Sequence, residues 1–146
     1  MSDEPRSSPV GGMSCPGWRI LVVDDEETVR TLAQACIRHG LGEQHQALHA
    51  RNGEEALAAA ERDQPDLILL DILMPGMDGF EVCRRLKESP RTKDIPIVFL
   101  TALGAEKDIS RGLALGGDGY IIKPFSAVTL AAQIAELLGP APERTD

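Results

Sequence analysis

Four apolar runs in the chain, 20–23, 67–70, 97–100 and 120–122, stop abruptly on polar residues: Asp24 and Asp25, Asp71, Thr101, and Lys123 in turn. Continuous apolar runs of this length mark strands buried on both faces rather than strands that alternate between core and water. Helical segments are predicted between them. The first follows the acids at 25–27 and runs to His39, where Gly40-Leu41-Gly42 is expected to stop it. A weakly polar strand over 46–50 suits a sheet edge, and Asn52-Gly53 turns into an alanine-rich helix over 54–62. A Pro/Gly loop over 74–79 precedes a helix over 80–88, and Gly116, Gly117 and Gly119 close another over 105–115. After Lys123-Pro124, Leu130, Ile134, Leu137 and Leu138 recur at helical spacing as one apolar stripe. Five successive βα units imply an α/β fold: a five-stranded parallel sheet with right-handed crossovers and helices on both faces.

In such a sheet the carboxyl ends of the strands gather on one edge, and ligands bind in the crevice there. The five polar residues that end the runs therefore converge. Taken alone, Asp24 and Asp25 can simply complement a helix dipole, Thr101 can cap a helix, and Lys123 can lay its stem over apolar surface. Together they supply three carboxylates, a hydroxyl and an ammonium, which suit a divalent cation and a phosphoryl group. Asp71 is the natural acceptor, because clustered carboxylates repel unless a cation lies among them and a carboxylate beside Mg²⁺ can attack phosphorus.

Composition narrows the partners. With 146 residues the chain holds one core, and a net charge of -8 argues against direct contact with nucleic acid or an anionic membrane. Neither a membrane span nor a signal peptide is visible, so the expected location is the cytosol. Residues 1–17 read as a disordered arm, with Met13 an alternative start, and 140–146 as a short tail around a domain over 18–139. Cys15, Cys36 and Cys83 form no metal or disulfide pattern, the two helical ones being expected to pack, and His39, His45 and His49 lack partners at ligand spacing.

The segments Leu21-Val22-Val23-Asp24-Asp25-Glu26, Asp71-Ile72-Leu73-Met74-Pro75-Gly76-Met77-Asp78-Gly79, Thr101-Ala102 and Lys123-Pro124-Phe125 resemble the receiver domain of two-component response regulators. The resemblance implies a doubly wound, flavodoxin-like sheet of order 2-1-3-4-5. It implies phosphoryl transfer to Asp71 from a histidine kinase or histidine phosphotransfer protein. Mg²⁺ would be held by Asp24, Asp25, Asp71 and the main-chain carbonyl of Leu73. Thr101 and Lys123 would then close on the phosphate, and Tyr120 would turn inward behind the threonine, with Ala102 small enough to leave it room.

Departures from the family pattern carry expectations of their own. Thr129 and Gln133 stand where many DNA-binding members carry a Glu and an Arg for dimerisation, and Gly119 replaces a common acid, so a monomer or weak dimer is expected. Leu73 and Leu103 offer no group to orient a water, which predicts a long-lived phosphorylated form. The expected function is a stand-alone signalling switch acting on an unidentified protein effector, not a conventional enzyme. The alternatives are a phosphatase of the haloacid-dehalogenase type, whose second Asp is missing from Asp24-Asp25-Glu26-Glu27-Thr28, and a receiver that acts without phosphorylation.

Overall fold

The computed structural model describes residues 17–102 and 105–139. The arm expected over 1–17, save Gly17, and the tail over 140–146 lie outside the described residues, as do Met13, Cys15 and Leu103. In chain order the elements are β1 (Arg19–Val23), α1 (Glu27–Leu41), β2 (Gln46–Ala50), α2 (Gly53–Asp63) and β3 (Leu67–Asp71). They continue with α3 (Gly79–Glu88), β4 (Ile97–Ala102), α4 (Glu106–Ala114), β5 (Gly119–Lys123) and α5 (Ala127–Leu138). All neighbouring strands are parallel, and their order is β2-β1-β3-β4-β5. The sheet is therefore the doubly wound, flavodoxin-like one expected.

The apolar runs are continuous because each face of the sheet has its own core. Leu21, Val23, Ile68, Leu70, Ile97 and Phe99 pack on one side beneath Ala56, Ala60, Phe80, Val82 and Leu86 of α2 and α3. Ile20, Val22, Leu67, Leu69, Val98, Leu100 and Ile121 pack on the other beneath Ala33, Ile37, Leu130 and Ile134 of α1 and α5. Burying one such side chain contributes roughly 1.5–3 kcal/mol, so a polar residue inside these runs would be costly. The edge strand β2 is only partly buried, in keeping with its polar sequence.

Helix α1 differs from the expectation at its end. It passes through Gly40 and stops at Gly42, whose φ of 123° only glycine adopts freely. Gly40 is a contact residue, not a stop: a Cβ there would lie 2.7 Å from Ala131 Cβ and 2.9 Å from the Ala127 carbonyl oxygen. The missing side chain lets α1 lie directly against the start of α5. Helix α4 is held otherwise, since Gly112 is its one buried residue and sits on the ring of Phe99.

Cys36 and Cys83 are buried, and burial raises both thiols above their usual range. His45 is also buried; it stacks on Trp18 at 5.1 Å and accepts the Trp18 main-chain N–H at Nδ1. No helix among the described residues is long and apolar enough to cross a membrane.

Candidate functional site

Register explains why the five strand-end residues meet. Val23 pairs with Leu70, so Asp24 and Asp71 emerge at one level of the carboxyl edge. Asp71 pairs with Leu100, which places Thr101 one residue further out, and Ala102 pairs with Lys123. Asp25, Asp71, Thr101, Ala102 and Lys123 line one cleft of about 260 Å³, together with Leu73 and Asp108. Side-chain alternation divides the set. Asp24, Asp71 and Lys123 continue the rows that face α1 and α5, whereas Thr101 and Tyr120 continue the row of Phe99 on the opposite face.

Asp24 is fully buried and Asp71 is 4% exposed, whereas Asp25 is exposed. One carboxylate oxygen from each lies within 4.8 Å of the others. Lys123 Nζ spans two of them, donating to Asp24 Oδ2 and Asp71 Oδ1 at 3.2 Å each. Burial pulls the lysine pKa down, but the Asp71 and Asp24 charges reverse this and leave it raised. For Asp71, burial and then the Asp24 charge outweigh the help from Lys123 and the Leu73 amide, pushing its pKa to about 6.

Burial is the larger cause of that rise and the neighbouring Asp24 charge the second, and three carboxylates gather here around the one ammonium of Lys123. The donors are all hard oxygens. The residues therefore fit a small hard divalent cation, which binds carboxylates and keeps several waters.

Leu73 is 72% exposed at the mouth of the cleft, and Thr101 is buried at its wall. Tyr120 is 41% exposed, and its main-chain carbonyl accepts from Gln133 Nε2 at 3.4 Å. Gly119 lies close to the same glutamine, where a Cβ would come within 2.7 Å of Nε2.

Two contributors escaped the sequence reading. Asp108 of α4 reaches the cleft from a helix whose placement the pattern did not resolve. Arg30 is buried, and its Nη1 donates to the Asp24 carbonyl at 2.7 Å. A signal for it existed: positions 30, 33 and 37 form the inward stripe of α1, and an arginine there is out of place.

The doubly wound sheet thus carries a buried acid pair, an exposed acid, a hydroxyl and a bridging ammonium at its carboxyl edge. The chain belongs to the response regulator receiver domain family, whose model matches residues 20–135. It is 46% identical over 119 residues to the response regulator PleD of Caulobacter vibrioides, an alignment covering 82% of this chain and 26% of PleD. It is 42% identical over 122 residues to the phosphate regulon transcriptional regulatory protein PhoB of Pseudomonas aeruginosa, covering 84% of this chain and 52% of PhoB. The chain thus spans from about a quarter to a half of these relatives. Among solved structures, the chemotaxis protein CheY4 of Vibrio cholerae superimposes with a TM-score of 0.76 at 30% identity, covering 83% of this chain and 98% of that one.

Proposed function

We propose that this receiver domain is a phosphorylation-dependent signalling switch, with Asp71 as phosphoacceptor and a phosphohistidine of a histidine kinase or phosphotransfer protein as donor. The observation that carries the reading is the Asp71 carboxylate, buried at the cleft, bridged to Asp24 by Lys123, and pushed to a pKa of about 6. At neutral pH it is ionised and available as a nucleophile. An Asp71 oxygen attacks phosphorus, the P–N bond to the donor imidazole breaks, and the imidazole nitrogen takes a proton. Water later cleaves the acyl phosphate, restoring the carboxylate and releasing inorganic phosphate.

Asp24, Asp25, Asp71 and the main-chain carbonyl of Leu73 would hold Mg²⁺. When bound, the ion neutralises charge on the transferred group. Thr101 and Lys123 donate to the phosphoryl oxygens, a hydroxyl from one face of the sheet and an ammonium from the other. Drawing Thr101 toward the phosphate makes room for Tyr120 to leave its exposed position, which changes the surface around α4 and β5. Phosphorylation shifts this equilibrium only by its differential affinity for the two arrangements. Output is binding of a protein effector, in the cytoplasm, without direct contact with nucleic acid.

Incubation with acetyl phosphate and Mg²⁺, followed by mass spectrometry, tests the reading. The wild type is expected to gain one phosphoryl group and Asp71→Asn none. No gain in the wild type, or an equal gain in both, refutes it.

A further inference from the structure

Arg30 is 8% exposed, and its Nε has no hydrogen-bond partner among the described residues. A buried cation with an orphaned donor is costly, and an apolar side chain of similar volume on the inward face of α1 would generally serve stability as well or better. Among the described residues, the one side-chain hydrogen bond of Arg30 reaches the Asp24 carbonyl. That carbonyl belongs to the peptide unit joining Asp24 to Asp25.

The remaining polar groups of Asp24 are also held. Its N–H donates to the Ala50 carbonyl at 3.1 Å, Oδ1 accepts from the Glu26 N–H at 2.9 Å, and Oδ2 accepts from Lys123. Rotation of the 24–25 peptide would swing both acids, and the guanidinium bond to its carbonyl opposes that rotation. Electrostatics alone would act in the other direction, since a positive charge near the cluster disfavours a second cation.

We propose that Arg30 is a positioning residue of the acidic cluster: by anchoring the peptide between Asp24 and Asp25 it aims both carboxylates at a divalent cation, and this orientation outweighs its own repulsion of that cation. The proposal rests on the functional reading above. Among the described residues it is Lys123, not Arg30, that contacts Asp71, so the effect of Arg30 belongs to metal affinity and not to the rate at saturating metal. Supporting groups behind metal ligands typically change affinity roughly 10- to 100-fold when removed.

The test uses the full chain as wild type, Arg30→Met and Arg30→Lys, with magnesium chloride titrated against the melting temperature and against phosphorylation by acetyl phosphate. Arg30→Met is expected to raise the half-saturating Mg²⁺ concentration about tenfold or more while the saturated phosphorylation rate stays near that of the wild type. Arg30→Lys, which keeps the charge but loses the guanidinium geometry, is expected to fall between the two. A Mg²⁺ requirement at or below the wild-type value in Arg30→Met overturns the proposal, whatever happens to the metal-free melting temperature. If that variant does not fold, Arg30→Lys decides by the same criterion. A wild type that neither responds to Mg²⁺ nor accepts phosphate removes the functional reading and this proposal with it, whereas a responsive wild type matched by both variants removes the proposal alone.

Discussion

Replacing Asp71 by Asn removes the charge that the site most resists. The Asp71 pKa rises from 3.8 to about 6 on folding, because burial and the Asp24 carboxylate outweigh Lys123. A raised acid pKa means that the folded state binds the proton more tightly than the unfolded one, so its stabilising contribution is complete below about pH 4 and is lost as pH rises through 6. The displacement corresponds to about 3 kcal/mol, and solvent screening takes little from it because the residue is 4% exposed. In metal-free buffer at pH 7.5, Asp71→Asn is therefore expected to melt above the wild type, by up to ~10 °C for a domain of this size. The gap should narrow as pH falls from 7 to 4, since only the wild type regains stability on protonation of residue 71; groups far from the cluster cancel in the difference. Added Mg²⁺ should stabilise the wild type more than the variant. Thermal melts of both proteins at several pH values, with chelator or with Mg²⁺, make the measurement. A wild type more stable at pH 7.5, or a gap independent of pH, would refute the electrostatic account of the cluster.

The remaining predictions concern the lifetime of the phosphate and the seating of α4. Leu73→Asn places a water-orienting amide at the mouth of the cleft and is expected to shorten the phosphorylated half-life roughly tenfold, less than the 10²–10⁴ of a full general base; an unchanged decay of phosphorylated protein would count against a role for this position. Gly112→Ala drives a methyl to 2.6 Å from the Phe99 ring. Overpacking of about 1–3 kcal/mol should exceed the ~1 kcal/mol gain in helix propensity, so the denaturant midpoint should fall. A midpoint that holds or rises would show that α4 lifts off its seat without cost.

Much of the site was legible because a strand buried on both faces announces itself by an unbroken apolar run, and the first polar residue after it must lie at the edge. Asp24, Asp71, Thr101 and Lys123 followed from that alone, and the order of strands followed from the family resemblance. What escaped depended on contacts between distant segments. Gly40 looks like a helix stop until Ala127 and Ala131 come to lie against it. Arg30 is a different case: its contact with the Asp24 carbonyl is local, and its place on the inward stripe of α1 was there to be read. Asp108 has no local signal, because its place over the cleft depends on how α4 sits on Phe99.

The division of the site between the two faces of the sheet separates writing from reading. Asp24, Asp71 and Lys123 stand on the side where α1 and α5 pack closely through Gly40, so under the proposed function the group that accepts the phosphate and the cation beside it share one packed face. Thr101 and Tyr120 stand on the side of α4, whose single buried residue is a glycine. A molecule built this way can vary its message, through changes in α4 and its neighbours, while the ink and the page stay the same.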